Sequence, residues 1–464
     1  MKTGFSRNRN KIPPKFISCS MEKLEILLTA CSDFVWGVPL MALLFGSHLF
    51  FTVRLRFPQR KLARAIRLSV TEETGAEGEV SPFGALATAL AATLGTGNIV
   101  GVALAVSIGG PGAVFWCWIT GVFGMATKYA ESFLAVKYRK RTKTGGFAGG
   151  PMYVMEKRFS TKLPAVLFSL FAIAASFGTG SSVQSNAIGE VLGHGGEIPF
   201  WIIGMAITIP AGAVILGGAK KITRVCQGLI PAMAALYLGG AAALLVICRK
   251  ELLPALSLIL KSAFSLRPAA GGLAVSLGFK AAREGIARGL FSDESGLGTA
   301  PMAAAAAKTS SPVSQALAAM TGTFWDTVVF CAVTGILVVA AMIHAPQIVS
   351  VTEPGNLAEQ AFSLMGRTGN LVFLISLTAF AFATILGWNF YGEQAVRYLF
   401  PESRCGILIY RLFYLASVFC GAIVPMRLVW QLSDLFNGLM AVPNLLVLLL
   451  MQKEITEETA NFRG

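Results

Sequence analysis

Long apolar runs separated by short polar connections dominate the chain, and a helix needs about 20 apolar residues to cross a hydrocarbon core. Eleven runs meet that length: 25–53, 82–109, 111–136, 164–192, 199–218, 222–248, 269–307, 312–343, 370–399, 405–425 and 428–452. The pattern predicts an all-α polytopic membrane protein. Setting the first run aside leaves ten, and five followed by five is the count of an inverted repeat, because a unit with an odd number of spans re-enters the membrane upside down. The organisation read from this is an N-terminal tail (1–24), an extra first span (25–53), a first five-helix repeat (82–248), a second (269–452) and a C-terminal tail (453–464).

The lead run of each half is interrupted by glycine and polar residues. Residues 82–109 contain Gly95-Thr96-Gly97-Asn98, and residues 269–307 contain Ser292-Asp293-Glu294-Ser295-Gly296-Leu297-Gly298. Glycine weakens a helix by about 1 kcal/mol relative to alanine. Backbone groups freed at that depth are tolerated only where they line a cavity or bind something. Paired interruptions in corresponding segments point to the midplane site of a transporter. A half-helix N-terminus there attracts a carboxylate through its dipole, and exposed carbonyls hold an alkali cation. The rival reading, glycines that merely let helices approach, suits a lone pair such as Gly97 and Gly101 better than two matched breaks.

Composition narrows the classes further. The chain is 54% hydrophobic and 14% charged, against roughly 25% charged in a soluble domain, so a soluble enzyme or a nucleic-acid binder is excluded. The formal charge of +15 comes from Lys and Arg in short loops. Arg54 to Arg67, Lys137 to Lys143 and the Lys220, Lys221, Arg224 turn are basic, whereas Gly109-Gly110-Pro111 and Gly193 to Pro199 carry no Lys or Arg. Basic loops mark the cytoplasmic side, and Lys308, Arg397, Arg404 and Lys453 continue the alternation. The C-terminus is then cytoplasmic and, with eleven spans, the N-terminus external. The basic tail (Lys2, Arg7, Arg9, Lys11, Lys15) resists export; a start at Met21 removes most of it. The first run is too long for a secretory signal and lacks a cleavage site. Short loops and the absence of large domains suit the plasma membrane of a bacterium or archaeon.

The eight cysteines include no CxxC pair, and His48, His194 and His344 are scattered; the expectation is no disulfide framework and no transition metal. No nucleophile with a base and no nucleotide motif appears, so an enzyme is not expected.

With these features in place the chain resembles the alanine or glycine:cation symporter family, membrane proteins of LeuT-type fold that couple small neutral amino acids to Na⁺ or H⁺. The resemblance rests on Ala91 to Gly101, Gly109-Gly110-Pro111-Gly112-Ala113, Ala126-Thr127-Lys128-Tyr129-Ala130-Glu131 and Gly149-Gly150-Pro151-Met152-Tyr153. It continues through Arg288 to Ser292, Gly296 to Pro301, and Gly387-Trp388 with Tyr391-Gly392-Glu393. It departs at Asp293, where the family more often has Asn, and at Asn389, where Ser is common.

The resemblance implies a LeuT-type core of five plus five helices with one additional N-terminal helix, and symport of alanine or glycine with sodium by alternating access. It places Thr96 and Gly97 at the substrate carboxylate, with Gly296 of the second break and Gln184 at the substrate, and Phe291 and Trp388 as walls of a small pocket. A sodium site joining the first core helix to the eighth draws on the Ala91 and Leu94 carbonyls and Thr384, with Ser376 and Thr378 competing. Asn98 either ligates the cation or ties the half-helices together. Thr384 either serves sodium or bonds its own i−4 carbonyl.

Charges within spans cost about 2.5 to 3.5 kcal/mol each at a helix centre and need partners or water. Arg288, Asp293 and Glu294 fall at the second break as a gating cluster; Asp326 is unassigned. Either Asp293 or Asp326 is a proton carrier if H⁺ replaces Na⁺. Lys128 and Glu131 read as an i,i+3 structural pair. The partners expected are a small amino acid and the lipid bilayer; the oligomeric state is open. A channel is the rival outside this class, and it needs a continuous polar lining.

Overall fold

Several helix starts follow directly from local chemistry. Ser81, Ser311 and Ser403 each precede a helix, and their hydroxyls accept from the backbone N–H groups of Gly84 (3.0 Å), Ser314 (3.4 Å) and Gly406 (3.0 Å), satisfying donors that a helix N-terminus leaves free. The computed structural model describes residues 27–462 except 29, 33, 73–74, 143–145, 194–197, 266–276, 351–355, 402 and 424–425. The tail 1–24, the alternative start at Met21, His194 and the beginning of the seventh run lie outside the described residues.

In chain order the helices are α1 (Val38–Arg54), α2 (Leu62–Val70), α3 (Pro82–Thr93), α4 (Gly97–Gly109), α5 (Gly112–Lys137), α6 (Pro151–Arg158), α7 (Leu163–Gly193), α8 (Phe200–Ile215) and α9 (Ala219–Ile247). There follow α10 (Leu252–Ala263), α11 (Leu277–Asp293), α12 (Ala300–Ala305), α13 (Pro312–His344), α14 (Leu357–Ser363), α15 (Gly366–Leu399), α16 (Arg404–Gly421), α17 (Met426–Leu450) and α18 (Gln452–Asn461). One antiparallel ribbon, β1 (Lys140–Arg141) with β2 (Phe147–Ala148), pairs Lys140 with Ala148 and Arg141 with Phe147. The all-α expectation did not include it.

Six helices among the described residues are long and apolar enough to cross a membrane: α7, α9, α13, α15, α16 and Ser433–Leu450 of α17. Two bent pairs raise this to eight, α1 with Pro58–Val70 at 64° and α3 with α4 at 54°. The hydropathy reading of eleven counted α5 and α11 as well. They differ because α5 carries Lys128 and Glu131 and α11 carries Arg288 and Asp293; Lys128, Glu131 and Asp293 are buried. Residues 200–215 and 252–263 are apolar but shorter.

Lipid offers no hydrophobic drive for one helix to meet another, so close approach relies on small residues. A methyl on Gly285 of α11 would stand 2.3 Å from the Ala113 carbonyl oxygen of α5, and one on Gly387 of α15 would stand 2.5 Å from the Ala92 nitrogen of α3. The outer faces are apolar, with Leu253 78%, Phe413 66% and Ile209 65% exposed. At one end of the bundle the chain entering α3 runs beside the chain leaving α12. Val80 and Ala307 form a parallel bridge, Lys308 N donates to Val80 O (2.7 Å), and Glu79 N donates to Ala306 O (2.9 Å). The Arg139 guanidinium donates to the carbonyls of Ala307 (2.7 Å), Glu77 (2.9 Å), Ala305 (3.2 Å) and Thr309 (3.2 Å).

Gly285→Ala is expected to destabilise the protein by about 1–3 kcal/mol through overpacking against rigid backbone, read as a lower melting temperature in detergent. Gly228→Ala on α9, where a methyl meets nothing within 4 Å, is expected to leave melting unchanged or slightly raised. Equal behaviour of the two variants would contradict this packing account.

Candidate functional site

The first break begins where Leu94 leaves helical backbone (φ −73°, ψ 85°). Asn98 closes it, its Oδ1 accepting from Gly95 N at 2.9 Å, and α4 then opens with a widened π turn over Gly97–Gly101. Thr96 points both donors at one acceptor, with backbone N and Oγ1 at 3.4 and 3.2 Å from Gln184 Oε1. Gln184 is held in turn by its Nε2, which donates to Thr179 O at 3.1 Å. It follows the π stretch Ser176–Ser182 of α7, and the 31-residue length of that helix lets a residue about 30 Å from its start still meet the break. Gly97 is buried, yet a methyl on it would meet nothing within 4 Å, so a small hollow lies beside the turn; a methyl on Gly101 would strike Arg288 Nη1 at 2.6 Å. Close packing thus explains Gly101 and not Gly97.

Asn98 is also the knot between elements. Its Nδ2 is shared among Asp326 Oδ1 (2.8 Å), Ser292 Oγ (3.1 Å) and the Asp326 carbonyl (3.2 Å). Asp326 lies in the π stretch Phe324–Cys331 of α13, and its Oδ2 accepts from Thr327 Oγ1 (2.7 Å) and Ser292 Oγ (3.0 Å). Of the two readings of Asn98, the tie is the one whose contacts are visible. Thr384 Oγ1 donates to its own i−4 carbonyl, Phe380 O (3.0 Å), and also to Leu94 O (3.3 Å), so the hydroxyl joins α15 to the first break. Ala91 is buried one turn before Leu94, and Ser376, two turns before Thr384, is buried with its Oγ unpartnered.

The second break is shaped by three left-handed residues, Glu294 (φ 53°), Gly296 (φ 93°) and Gly298 (φ 83°); glycine adopts this conformation without the Cβ penalty. Buried side chains take up the freed backbone. Glu131 Oε1 accepts from Gly298 N (3.0 Å) and Asn444 Nδ2 (2.6 Å), Asn444 Nδ2 also donates to Gly296 O (2.8 Å), and Asp293 Oδ1 accepts from Ser295 N (2.7 Å). Thr299 Oγ1 donates to Glu294 Oε2 at 2.5 Å.

This arrangement corrects three expectations. Lys128 and Glu131 are not an ion pair in contact: Glu131 serves the break, while Lys128 Nζ, Glu131 Oε2 and Asp293 Oδ2 are buried without hydrogen-bond partners. Arg288 does not join Asp293 and Glu294. It lies over the Phe291 ring at 5.4 Å and, with Phe291, lines a separate cavity of about 240 Å³ with Trp36, Ile108, Glu284 and Asp434, whereas Lys128 is the cation in electrostatic reach of Asp293 and Glu294. Gly296 is engaged elsewhere, its carbonyl by Asn444 and its Cα hydrogen side against Leu44, 2.6 Å from where a methyl would stand.

Trp388 is fully buried, packed against Gly180 of α7 and edge-on to Tyr391 at 5.9 Å. The sequence reading passed over its neighbours as site residues. Both amide atoms of Asn389 and the Tyr391 hydroxyl are buried without partners, and each such group costs about 1–3 kcal/mol. Asn437 and Ser433 of α17 both bond the Thr179 hydroxyl, Asn437 Nδ2 at 2.8 Å. The polar run around Thr179 was the available signal for that contact; nothing in sequence marked its partners. Among the described residues no three His, Cys, Asp or Glu converge as metal ligands.

The profile of the sodium:alanine symporter family matches residues 21–464. An uncharacterized transporter of Haemophilus influenzae is 44% identical over 442 residues, 95% of this chain and 96% of its own. The sodium/alanine symporter AgcS of Methanococcus maripaludis is 41% identical over 94% of this chain and 96% of its own. Among solved structures, MhsT in complex with L-phenylalanine is similar in fold, with a TM-score of 0.55 at 16% identity over 84% of this chain and 94% of that one.

Asn98→Leu leaves Gly95 N and the Asp326 carboxylate without their shared partner and is expected to cost about 1–3 kcal/mol, seen as a fall in melting temperature. Thr378→Ala, at a half-buried position on α15, is expected to stay within about 0.5 kcal/mol of the parent. A silent Asn98→Leu would remove the knot from this description.

Proposed function

The chain belongs to the sodium:alanine symporter family, and from that premise we propose that it imports a small neutral amino acid, alanine or glycine, together with Na⁺ by alternating access. It is a multi-pass, mostly helical membrane transporter of a family that moves amino acids with sodium. In the finer reading, residues 82–248 and 269–452 are inverted five-helix repeats of a LeuT-type core, 25–53 is an additional span, and 1–24 and 453–464 are tails, giving eleven spans. The C-terminus is cytoplasmic and the N-terminus external, in the cell membrane.

The observation that carries the proposal is the hollow at Gly97, bordered by a broken helix whose Thr96 donors are occupied only by Gln184. A substrate carboxylate takes the Thr96 and Gly97 amides, and Gln184 exchanges its bond to Thr96 for one to the ligand. Trp388 limits the size of the solute, Phe291 lines the neighbouring cavity with Arg288 in place of the wall expected of it, and Gly296 serves through the backbone turn it permits. Overfilling a rigid pocket costs more than the roughly 1 to 3 kcal/mol that one methylene gains in an open one. Sodium sits where Thr384 meets the Leu94 carbonyl, with the Ala91 carbonyl as a further ligand and Asn98 fixing the turn beside it. Arg288, with Asp434, gates the cavity that the two line, and Asp293, Glu294 and Asp326 are the buried acids beside the breaks that gate the site or, under proton coupling, carry the proton. If Na⁺ strengthens amino-acid binding, the amino acid strengthens Na⁺ binding by the same factor. One cation moving down 100 mV supplies about 2.3 kcal/mol.

Proteoliposomes are expected to accumulate labelled alanine and glycine in Na⁺ and to lose saturable uptake when choline replaces Na⁺ at fixed pH. Thr384→Val is expected to raise the Na⁺ half-saturation concentration about tenfold, equivalent to one weakened ligand of about 1.4 kcal/mol. Gly97→Ala is expected to abolish most uptake with its melting temperature retained, since the methyl has room and fills the hollow. Undiminished uptake in choline would overturn sodium coupling, and unsaturable uptake without accumulation would replace the symporter with a channel.

A further inference from the structure

A second cavity, of about 990 Å³, opens between the β1–β2 ribbon, α6, the start of α7 and the turn from α15 to α16. Lys140, Arg141, Lys162, Arg397 and Arg404 line it. Their local counter-charges fall short. Glu156 serves both Lys140 (2.9 Å) and Lys162 (3.3 Å), Glu77 meets Arg141 (2.6 Å), and Glu393 is divided between Arg397 (2.8 Å) and Arg411 (2.8 Å), so that among the described residues Arg404 has no acidic partner. Lys140, first through its hydrogen bond, holds the Glu156 carboxyl below the usual carboxylate range, so that acid is committed to its cations.

The walls are not those of a site for a free ion. Tyr153 and Tyr398 meet edge to face at 5.1 Å inside the cleft, and Val166 of α7 and Ile407 of α16 form its apolar side. Beyond them the outward faces of the same two helices stay apolar and uncovered, with Leu163 60% and Leu170 49% exposed on α7 and Leu408 49% and Leu412 54% on α16. These helices touch one another, Ser176 Oγ lying 3.0 Å from Tyr410 Oη. A basic chamber that continues into a greasy, lipid-facing seam fits a molecule that is anionic at one end and hydrocarbon at the other. Basic pockets between membrane helices attract acidic headgroups through their charge, and tyrosines suit the same interface by pairing an apolar ring with a polar tip.

We propose that this cleft seats the headgroup of one anionic phospholipid, its phosphate met by Lys162 and Arg404 and its acyl chains laid along the outer faces of α7 and α16. The lipid bridges the start of α7 to the α15–α16 turn, and the proposal is independent of which solute the protein carries. The test is native mass spectrometry of the delipidated full-length protein given phosphatidylglycerol or phosphatidylcholine with identical chains. The expected result is one retained phosphatidylglycerol adduct, a raised melting temperature with that lipid, and about tenfold weaker retention in Lys162→Gln/Arg404→Gln. Lys162→Arg/Arg404→Lys is expected to keep the adduct, which separates loss of charge from misfolding, and lipid-free melting of both double variants should match the parent. Equal retention of the two lipids, an undiminished adduct in the glutamine variant, or displacement of the lipid by excess inorganic phosphate or an acidic peptide would each overturn the assignment.

Discussion

A backbone that stops being helical in the middle of a membrane must find new hydrogen-bond partners within the protein, since water is absent there. This requirement governs the whole architecture. At the first break Asn98 accepts from Gly95 and Gln184 accepts from Thr96; at the second, Glu131, Asn444 and Asp293 take over Gly298, Gly296 and Ser295. The partners come from α5, α7 and α17 as well as from the broken helices themselves. Long helices surrounding the core therefore have a polar duty in addition to packing, and their small residues let them come close enough to perform it.

The two interruptions are also mechanically linked. Asn98 reaches from the first break to Asp326 on α13 and to Ser292 on the last turn of α11, so the two interrupted segments share one buried amide. A change of geometry at Gly95 to Gly97 is felt by α11 and α13 through direct contacts, with no need for a long chain of intermediaries. Each member of this group is satisfied by another member, which in a low-dielectric interior makes the set rigid as long as it is complete.

Much of this was legible in the residues. Glycine beside hydroxyl and amide side chains inside apolar runs announces a broken helix, and both breaks fall where that signal stood. Thr384 one turn before Trp388 was readable from helical spacing, whereas Gln184 came from the family resemblance alone. What could not be read was the destination of charge. Lys128 and Glu131 share a helix face, but the partner of Glu131 is Gly298, 167 positions away, and no local rule reaches that far. Arg288 precedes Asp293 by little more than one turn, enough to send it to a different cavity. The span count of eleven is wider than the eight that length and apolarity support among the described residues, because α5 and α11 carry buried charges that lower their apolarity. Asn389 and Tyr391 carry no sequence mark of being unpaired, since satisfaction of a polar group is a property of its neighbours.

The Arg139 clasp on the segments leading into α3 and out of α12 has a consequence for how that end can move. Because the same guanidinium grips carbonyls on both sides of the Val80–Ala307 bridge, neither half-helix can swing away at that end while the other stays. A displacement of one segment alone breaks hydrogen bonds that the other keeps, so the least costly motion at that end carries the two together.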